Sequence, residues 1–308
     1  MDGVLLSADW QFVENCPACD QSNGDILGQL AIHNYIFGSR RITLPPGGVA
    51  LTCCNTCGLV RKSTVPTPDF LKKITMMEQA TLWHQSNYDF APEFASIDAH
   101  HRGPMCDLLD VGAAGGEFLR AAPYCKGRRS ALDIVRFDRL TLSDEGEFIC
   151  GLIDDPELNW SGRPYDVVTA FDVLEHVYTP SAALANLRTL TKPGGIVIIE
   201  TGDTDSIAAD KLTAWYYLSL FEHHIAWNAR AIAAIADRFA FDVLSIEQKR
   251  HKLVAKESFE PKALIKYNLF RLSPKVYHAL QHWGGFNGTT PMKPNAKDHF
   301  RVILRRRS

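Results

Sequence analysis

Two pairs of cysteines carry the most specific chemistry in this chain: Cys16-Pro17-Ala18-Cys19 and Cys54-Asn55-Thr56-Cys57. A two-residue gap lets both thiolates of a knuckle point at one ion, and two knuckles complete the four-sulfur tetrahedron that zinc favours. Gly58, directly after the second pair, suits a tight turn whose N–H groups face the sulfurs. Four protein ligands close such a site, so the expected zinc is structural and does no chemistry. A redox dithiol is the competing reading. Cys53 breaks the two-residue spacing and falls outside the ligand set, while Cys106, Cys125 and Cys150 read as small core residues.

A second chemical feature is the run from Asp107 through Asp110-Val111-Gly112-Ala113-Ala114-Gly115-Gly116 to Leu119, an apolar strand, a small-residue loop and a helix start. Small residues let a backbone approach a ligand closely. In open α/β sheets this carboxyl-end crevice is where nucleotides bind. The loop departs from the G-x-G-x-x-G dinucleotide fingerprint, because Ala114 occupies the position of its second glycine. Asp133 ends the next strand, where a carboxylate can accept hydrogen bonds from both ribose hydroxyls; a plain turn residue is the alternative.

The elements that must hold these residues follow from the pattern. From Cys106 onward, short apolar strands alternate with amphipathic helices, which predicts a mostly parallel sheet. Strands are expected at 106–111, 130–134, 147–153, 165–171, 195–201, 241–246 and 299–304, with helices at 181–190, after the fifth strand and at 229–239. Pro180 suits a helix first turn and Asn228 an N-cap. The fold class is thus α/β, a Rossmann-like seven-stranded mostly parallel sheet with helices on both faces, behind a small four-cysteine zinc module. Residues 1–62 form that module, 63–105 a helical connection and 106–308 the main domain, with a partly helical insertion at 249–297.

The run Tyr165-Asp166-Val167-Val168-Thr169-Ala170-Phe171-Asp172-Val173-Leu174-Glu175-His176-Val177, followed by Pro180, Leu184, Leu187, Leu190 and Lys192-Pro193-Gly194-Gly195, together with the Asp110–Gly116 loop, resembles the class I S-adenosylmethionine methyltransferases of the small-molecule and sugar branch. The resemblance covers roughly residues 106–247. It implies S-adenosylmethionine as cofactor: Asp110 and the loop Gly112, Ala113, Ala114 and Gly116 would hold its methionine part. Asp133 would bind the ribose, Ile134 pack on the adenine, Asp154 (or Asp155) meet the adenine amino group, and Phe171 line the sulfonium pocket. Ala114 stands where many relatives have glycine, and fits if its φ is negative.

In the same branch a Glu-His pair followed by an aromatic and a capping residue lies close to the acceptor, and Glu222-His223, with Trp227 and Asn228 in register, matches it. Methyl transfer is an in-line displacement, so the protein aligns the reactants and removes a proton from the acceptor. A histidine titrating near neutrality suits that step, which makes His223 the expected base, with Glu222 as its partner and His224 as runner-up. Glu175-His176 reads instead as a source of local polar bonds at a helix start. The N-terminal module and the Tyr88-Asp89-Phe90 segment also resemble the sugar C-methyltransferases. Those proteins continue into a further α/β domain, whereas this sequence ends at Ser308, which leaves O-methylation of a sugar or other hydroxylated metabolite equally open.

Composition narrows the remaining classes. The 308 residues are 46% hydrophobic and 22% charged, with a net charge of -2, as in a globular protein. No apolar run reaches the ~20 residues of a membrane helix, and the start lacks a signal-peptide pattern, so a cytoplasmic protein with reduced thiols is expected. Residues 249–308 carry 14 Lys/Arg against 3 Asp/Glu. Such a segment suits an anionic small-molecule substrate, a nucleotide-linked sugar for example, or only a solvated face. Residues 1–62 carry 4 Lys/Arg and 5 Asp/Glu, which argues against an RNA-docking module and so against a ribosomal-RNA base methyltransferase. A zinc-containing nicotinamide oxidoreductase fits the loop and the Glu-His and Pro-Gly-Gly segments less well, and a non-catalytic scaffold has no need of an intact loop and Asp133.

Overall fold

The computed structural model describes residues 9–82, 88–101, 106–122, 125–160, 162–250, 261–280, 291 and 296–308. The start Met1–Leu6 and much of the 249–297 insertion lie outside the described residues.

Seven short strands come first: β1 (Trp10–Phe12), β2 (Gly24–Gln29), β3 (Asn34–Phe37), β4 (Arg40–Thr43), β5 (Ala50–Cys54), β6 (Val60–Lys62) and β7 (Thr64–Pro66). Helices α1 (Pro68–Leu82) and α2 (Ala91–His100) follow. The alternating part holds β8 (Leu108–Val111), α3 (Glu117–Ala121), β9 (Arg129–Asp133), β10 (Phe148–Cys150), β11 (Tyr165–Phe171), α4 (Pro180–Leu190) and β12 (Thr191–Gly202). After three 3-10 turns come β13 (Ile225–Ala226), α5 (Ala229–Arg238), β14 (Phe241–Lys249), α6 (Pro261–Leu272), α7 (Pro274–Ala279) and β15 (His299–Arg306).

The large sheet has seven strands in the order β10-β9-β8-β11-β12-β15-β14. The pairs among β10, β9, β8, β11 and β12 are parallel, and β15 runs antiparallel to both its neighbours. All four residues of β8 and six of the seven in β11 are buried. That continuous apolar pattern belongs to strands covered on both faces. α4 supplies one cover, burying Ala183, Leu184, Leu187 and Leu190 at helical spacing. Strand order reverses between β8 and β11, and the crevice beyond their carboxyl ends is the switch point where doubly wound sheets bind ligands.

The seven expected strands are all present, most within two residues of the expected bounds. Three features differ from the sequence reading. The segment after β12 forms 3-10 turns where a helix was expected. The connection at 63–105 contains β7 in addition to its helices, paired with β1. Cys150 is exposed, unlike Cys106 and Cys125, which are buried.

Three of the N-terminal strands share a sheet with β13, a strand from the later part of the chain, in the order β13-β6-β5-β2. Cys16, Cys54, Cys57 and Leu59 share one buried cluster with Leu109, Leu174, Trp227 and Ile232. The packing is therefore continuous across residue 62, and sequence alone had no means of showing a two-residue strand at 225–226 pairing back to residues 60–61.

Candidate cofactor and active site

The loop after β8 is shaped by left-handed backbone. Gly112 has φ +69 and Gly116 φ +76, and a Cβ at Gly112 would stand 2.6 Å from the Val173 side chain. Ala114 has φ +45, so the expectation of a negative φ there is corrected. The left-handed geometry costs an alanine roughly 1–2 kcal/mol, and the loop closes over it because its N–H donates to Asp133 Oδ2 at 2.9 Å. Asp133 also accepts from Val135 N–H at 3.4 Å, and burial pushes its carboxyl above the usual range. Ala113 is buried inside the turn. Asp110, also buried, accepts the Thr169 hydroxyl at 2.7 Å, which pins β8 to β11 at the crevice.

Phe171 ends β11 and meets Phe118 edge-on, with centroids 5.0 Å apart. Phe118 in turn touches Phe90 and Phe94, so the Tyr88–Phe90 segment leads directly to the crevice. Asp172, the next residue, holds φ +54, a strained conformation of the kind found at ligand sites. Ile134 is half-buried beside Asp133. Asp154 is buried, and its Oδ2 accepts from Tyr178 N–H at 2.6 Å and Thr179 N–H at 3.0 Å, holding the entrance to α4. Asp155 is exposed.

The segment Glu222-His223-His224 splits to opposite sides. His223 is buried against Tyr217, 4.1 Å between centroids, and His176, 4.8 Å. Its Nδ1 has no hydrogen-bond partner, and burial holds its proton affinity well below that of a free imidazole. His224 turns instead to the Tyr178 ring, 4.2 Å away, and burial likewise holds it neutral. Glu222 is half-buried; burial raises its carboxyl, and the charges nearest it include His176 and Lys62.

Glu175 and His176 are more than local polar bonds. Glu175 is completely buried and accepts the Thr201 hydroxyl of β12 at 2.9 Å. Burial, and then the charge of Asp172, pushes it up to about 7. His176 Nδ1 bonds the Glu222 carbonyl at 3.0 Å, which leaves Nε2 towards Glu175 Oε1 at 4.0 Å. The nearest ligand atoms of Glu175, His176 and His223 all lie within 4.8 Å of one another, so the three titratable side chains form one cluster. Tyr217, whose hydroxyl accepts from Gly202 N–H at 2.8 Å and bonds Thr201 at 2.9 Å, completes this cluster. Nothing in the local sequence of Tyr217 marked it, since it sits in a 3-10 turn just ahead of the Glu222-His223 pair and outside that motif.

The four cysteines converge as their spacing required. Cys16 and Cys57 sulfurs lie 3.5 Å apart, as do those of Cys19 and Cys54, and all four are within 4.8 Å of one another. Such distances, in a buried all-sulfur set, fit one tetrahedral zinc ion. Part of the basic C-terminal charge is paired within the chain, Arg301 and Lys249 in its interior and Arg307 on the surface. Arg301 pairs with Glu93 and Glu200 at 2.7 and 2.8 Å, Lys249 also pairs with Glu93, and Arg307 bonds Asp237 and Asp242.

A family model described as a methyltransferase domain matches residues 82–246, more than half of the chain. The chain belongs to the methyltransferase domain family. The matched stretch contains the crevice, Asp133, Phe171 and the His223 cluster. This family member is 28% identical over 146 residues to the ubiquinone biosynthesis O-methyltransferase of Nitrosospira multiformis, covering 43% of this chain and 61% of that protein. It is 30% identical over 148 residues to the corresponding protein of Paraburkholderia xenovorans, covering 44% and 62%. The match thus spans about three fifths of the length of these curated relatives. The solved 1,6-didemethyltoxoflavin-N1-methyltransferase of Burkholderia thailandensis shares the fold, with a TM-score of 0.51 at 14% identity, over 84% of this chain and 96% of that one. Among the described residues of this methyltransferase-family chain, no helix is long and apolar enough to cross a membrane.

Proposed function

We propose that this chain transfers a methyl group from S-adenosylmethionine to a hydroxyl of a small molecule. The observation that carries the reading is the crevice itself: a strained loop at Gly112–Gly116 tied to Asp133 at the switch point of the sheet, with His223 buried and neutral in the same matched domain. The O-methyltransferase relatives support a hydroxyl as the acceptor. Sugar and phenolic hydroxyls share the chemistry, and a nucleotide-linked sugar remains the sequence-based candidate.

When bound, the cofactor supplies an electrophilic methyl on a sulfonium. The chain's own residues do the rest. Asp110 and the loop from Gly112 through Ala113 and Ala114 to Gly116 hold the methionine part, Asp133 accepts from the ribose hydroxyls, and Ile134 and Phe171 line the apolar walls. Asp154, whose two backbone bonds both go to Oδ2, meets the adenine amino group, with its exposed neighbour Asp155 as the rival. His223 takes the acceptor's proton at its unpartnered nitrogen and becomes an imidazolium, while the His176 ring packs edge-on against it and the Glu175 carboxyl lies in the same cluster. Glu222 and His224 then serve the fold around His223. Proton removal of this kind is worth roughly 10²–10⁴-fold.

The four cysteines hold zinc, in our reading, as a structural brace of residues 1–62 against the methyltransferase domain. Reduced thiols of this kind suit the cytoplasm.

The test is a methylation assay, read by mass spectrometry, on a panel of nucleotide sugars and phenols, with calorimetry of S-adenosylhomocysteine in parallel. His223→Ala is expected to keep the calorimetric binding and to lose turnover by roughly 10²–10⁴-fold. Unchanged turnover removes His223 from the mechanism. No uptake of either form of the cofactor by the intact protein removes the whole reading.

A further inference from the structure

We propose that Glu175, His176 and His223 form a second metal site, one for a divalent cation of the zinc class, and that the ion competes with the acceptor's proton for His223. Their ligand atoms lie within 4.8 Å of one another, and none of the three belongs to the cysteine cluster. Glu175 and His176 stand between β11 and α4, and His223 stands just ahead of β13, so the fold brings the set together from two separate segments. Two imidazoles and one carboxylate are a combination that divalent zinc accepts with a further position left open.

Each ligand is prepared by what it touches. The Glu222 carbonyl accepts from His176 Nδ1 at 3.0 Å. That nitrogen therefore carries the hydrogen, and Nε2, 4.0 Å from Glu175 Oε1, carries the lone pair. Thr201 donates to Glu175 Oε2 at 2.9 Å and the Tyr217 hydroxyl lies beside the same carboxyl, while the buried Oε1 has no partner within hydrogen-bond geometry. His223 is 6% exposed, and its Nδ1 has no hydrogen-bond partner. Buried polar atoms in folded proteins are normally satisfied, so these two mark a place for a ligand. All three groups offer electron pairs, so the ligand they share is a cation.

Ligands of one tetrahedral zinc ion stand roughly 3.4 Å apart, so the set closes on an ion through side-chain shifts of about 1 Å. The His176 side chain is 31% exposed and gives the ion its entry. Glu175 supplies one negative charge, and the Asp172 carboxylate, whose field reaches Glu175 and His223, supplies a second. Against them stands the buried Lys62, whose ammonium is bonded to the Leu220 carbonyl at 2.6 Å and pushed down to about 7 by burial. A neutral imidazole has one lone pair, so an ion on His223 occupies the electrons that would take the acceptor's proton. That competition rests on the methyl-transfer reading; the site itself does not. Four thiolates hold zinc more tightly than this set, so the cysteine cluster fills first.

The intact protein, dialysed so that it holds only its cysteine-bound ion, is titrated with zinc chloride by calorimetry and with cobalt chloride by visible absorption. Uptake of one further ion is expected, with the cobalt showing the d–d bands of nitrogen and oxygen ligands. His176→Ala and Glu175→Gln are each expected to weaken that uptake roughly 100-fold. Should the buried Glu175→Gln prevent folding, the half-buried His176→Ala decides alone. The site is overturned if the wild type takes up no further ion, if a thiolate charge-transfer band appears in place of those d–d bands, or if either folded variant binds as tightly as the wild type. With an acceptor present, saturating zinc is expected to slow wild-type turnover by roughly the 10²–10⁴-fold that a base supplies. Turnover unchanged or raised while the ion is bound overturns the competition. The titration needs no acceptor, so failure of the methyl-transfer reading is seen separately, as absence of cofactor uptake and turnover.

Discussion

The side-chain amide of Asn228 donates to the carbonyl of Gly58 at 2.8 Å, and its oxygen accepts from Ala231 N–H at 2.7 Å. One residue therefore caps α5 and holds the turn of the second cysteine knuckle. Gly58 is fitted to this contact: its φ is +83, and a Cβ there would stand 2.7 Å from Asn228 Nδ2. Asn228→Ala removes both bonds at once. A lost cap costs about 1 kcal/mol, and loss of the bond to the half-buried Gly58 carbonyl adds about 1 kcal/mol. A stability loss of about 2 kcal/mol in urea unfolding is expected, and a loss confined to a few tenths would show the two bonds to be idle.

Ala114 offers a gain instead. Its φ of +45 is left-handed, and the N–H bond to Asp133 does not depend on its side chain. Ala114→Gly is expected to raise stability by about 1 kcal/mol, since glycine carries no steric penalty there. Thermal unfolding reads the change directly, and a fall in melting temperature contradicts the strain.

Glu175 makes the stability depend on pH. Burial, with the charge of Asp172, raises its carboxyl from 4.5 to about 7 in the folded protein. The unfolded chain releases that proton first, so the contribution is whole below about pH 4.5 and is lost as pH rises through 7. The loss approaches ~3 kcal/mol as an order of magnitude. Glu175→Gln is expected to flatten this part of the profile, measured as the difference in unfolding free energy between the two proteins at pH 5 and pH 8. A difference that does not change with pH would mean that Glu175 keeps an ordinary carboxyl.

The cysteine cluster predicts a metal-dependent fold. Removing an ion from four sulfurs in the middle of the shared core releases the knuckle that holds β6 and, through it, β13. A strong chelator is expected to liberate one zinc per chain, lower the melting temperature and speed hydrogen exchange at residues 60–62 and 225–226. Protein that carries no zinc and is equally stable in chelator argues against the assignment.

The alternating strands and helices from Cys106 onward, the cysteine spacing, the small-residue loop and the acid at 133 were all legible along the chain, because each is a local pattern. Periodicity and spacing are properties of neighbouring residues, and a parallel strand buried on both faces must be apolar throughout. The pairing of β13 with β6, the union of the N-terminal strands with the main core and the left-handed φ of Ala114 were not. They depend on contacts across more than a hundred residues or on how a loop closes.

The linear order of residues thus determined that this protein has a doubly wound sheet with a nucleotide-type crevice and a four-sulfur cluster. Only the tertiary structure decided which histidine meets which carboxylate. Glu222, His223 and His224 are consecutive, yet in the turn that leads into β13 His223 joins Glu175, His176 and Tyr217 while His224 turns the other way, to Tyr178.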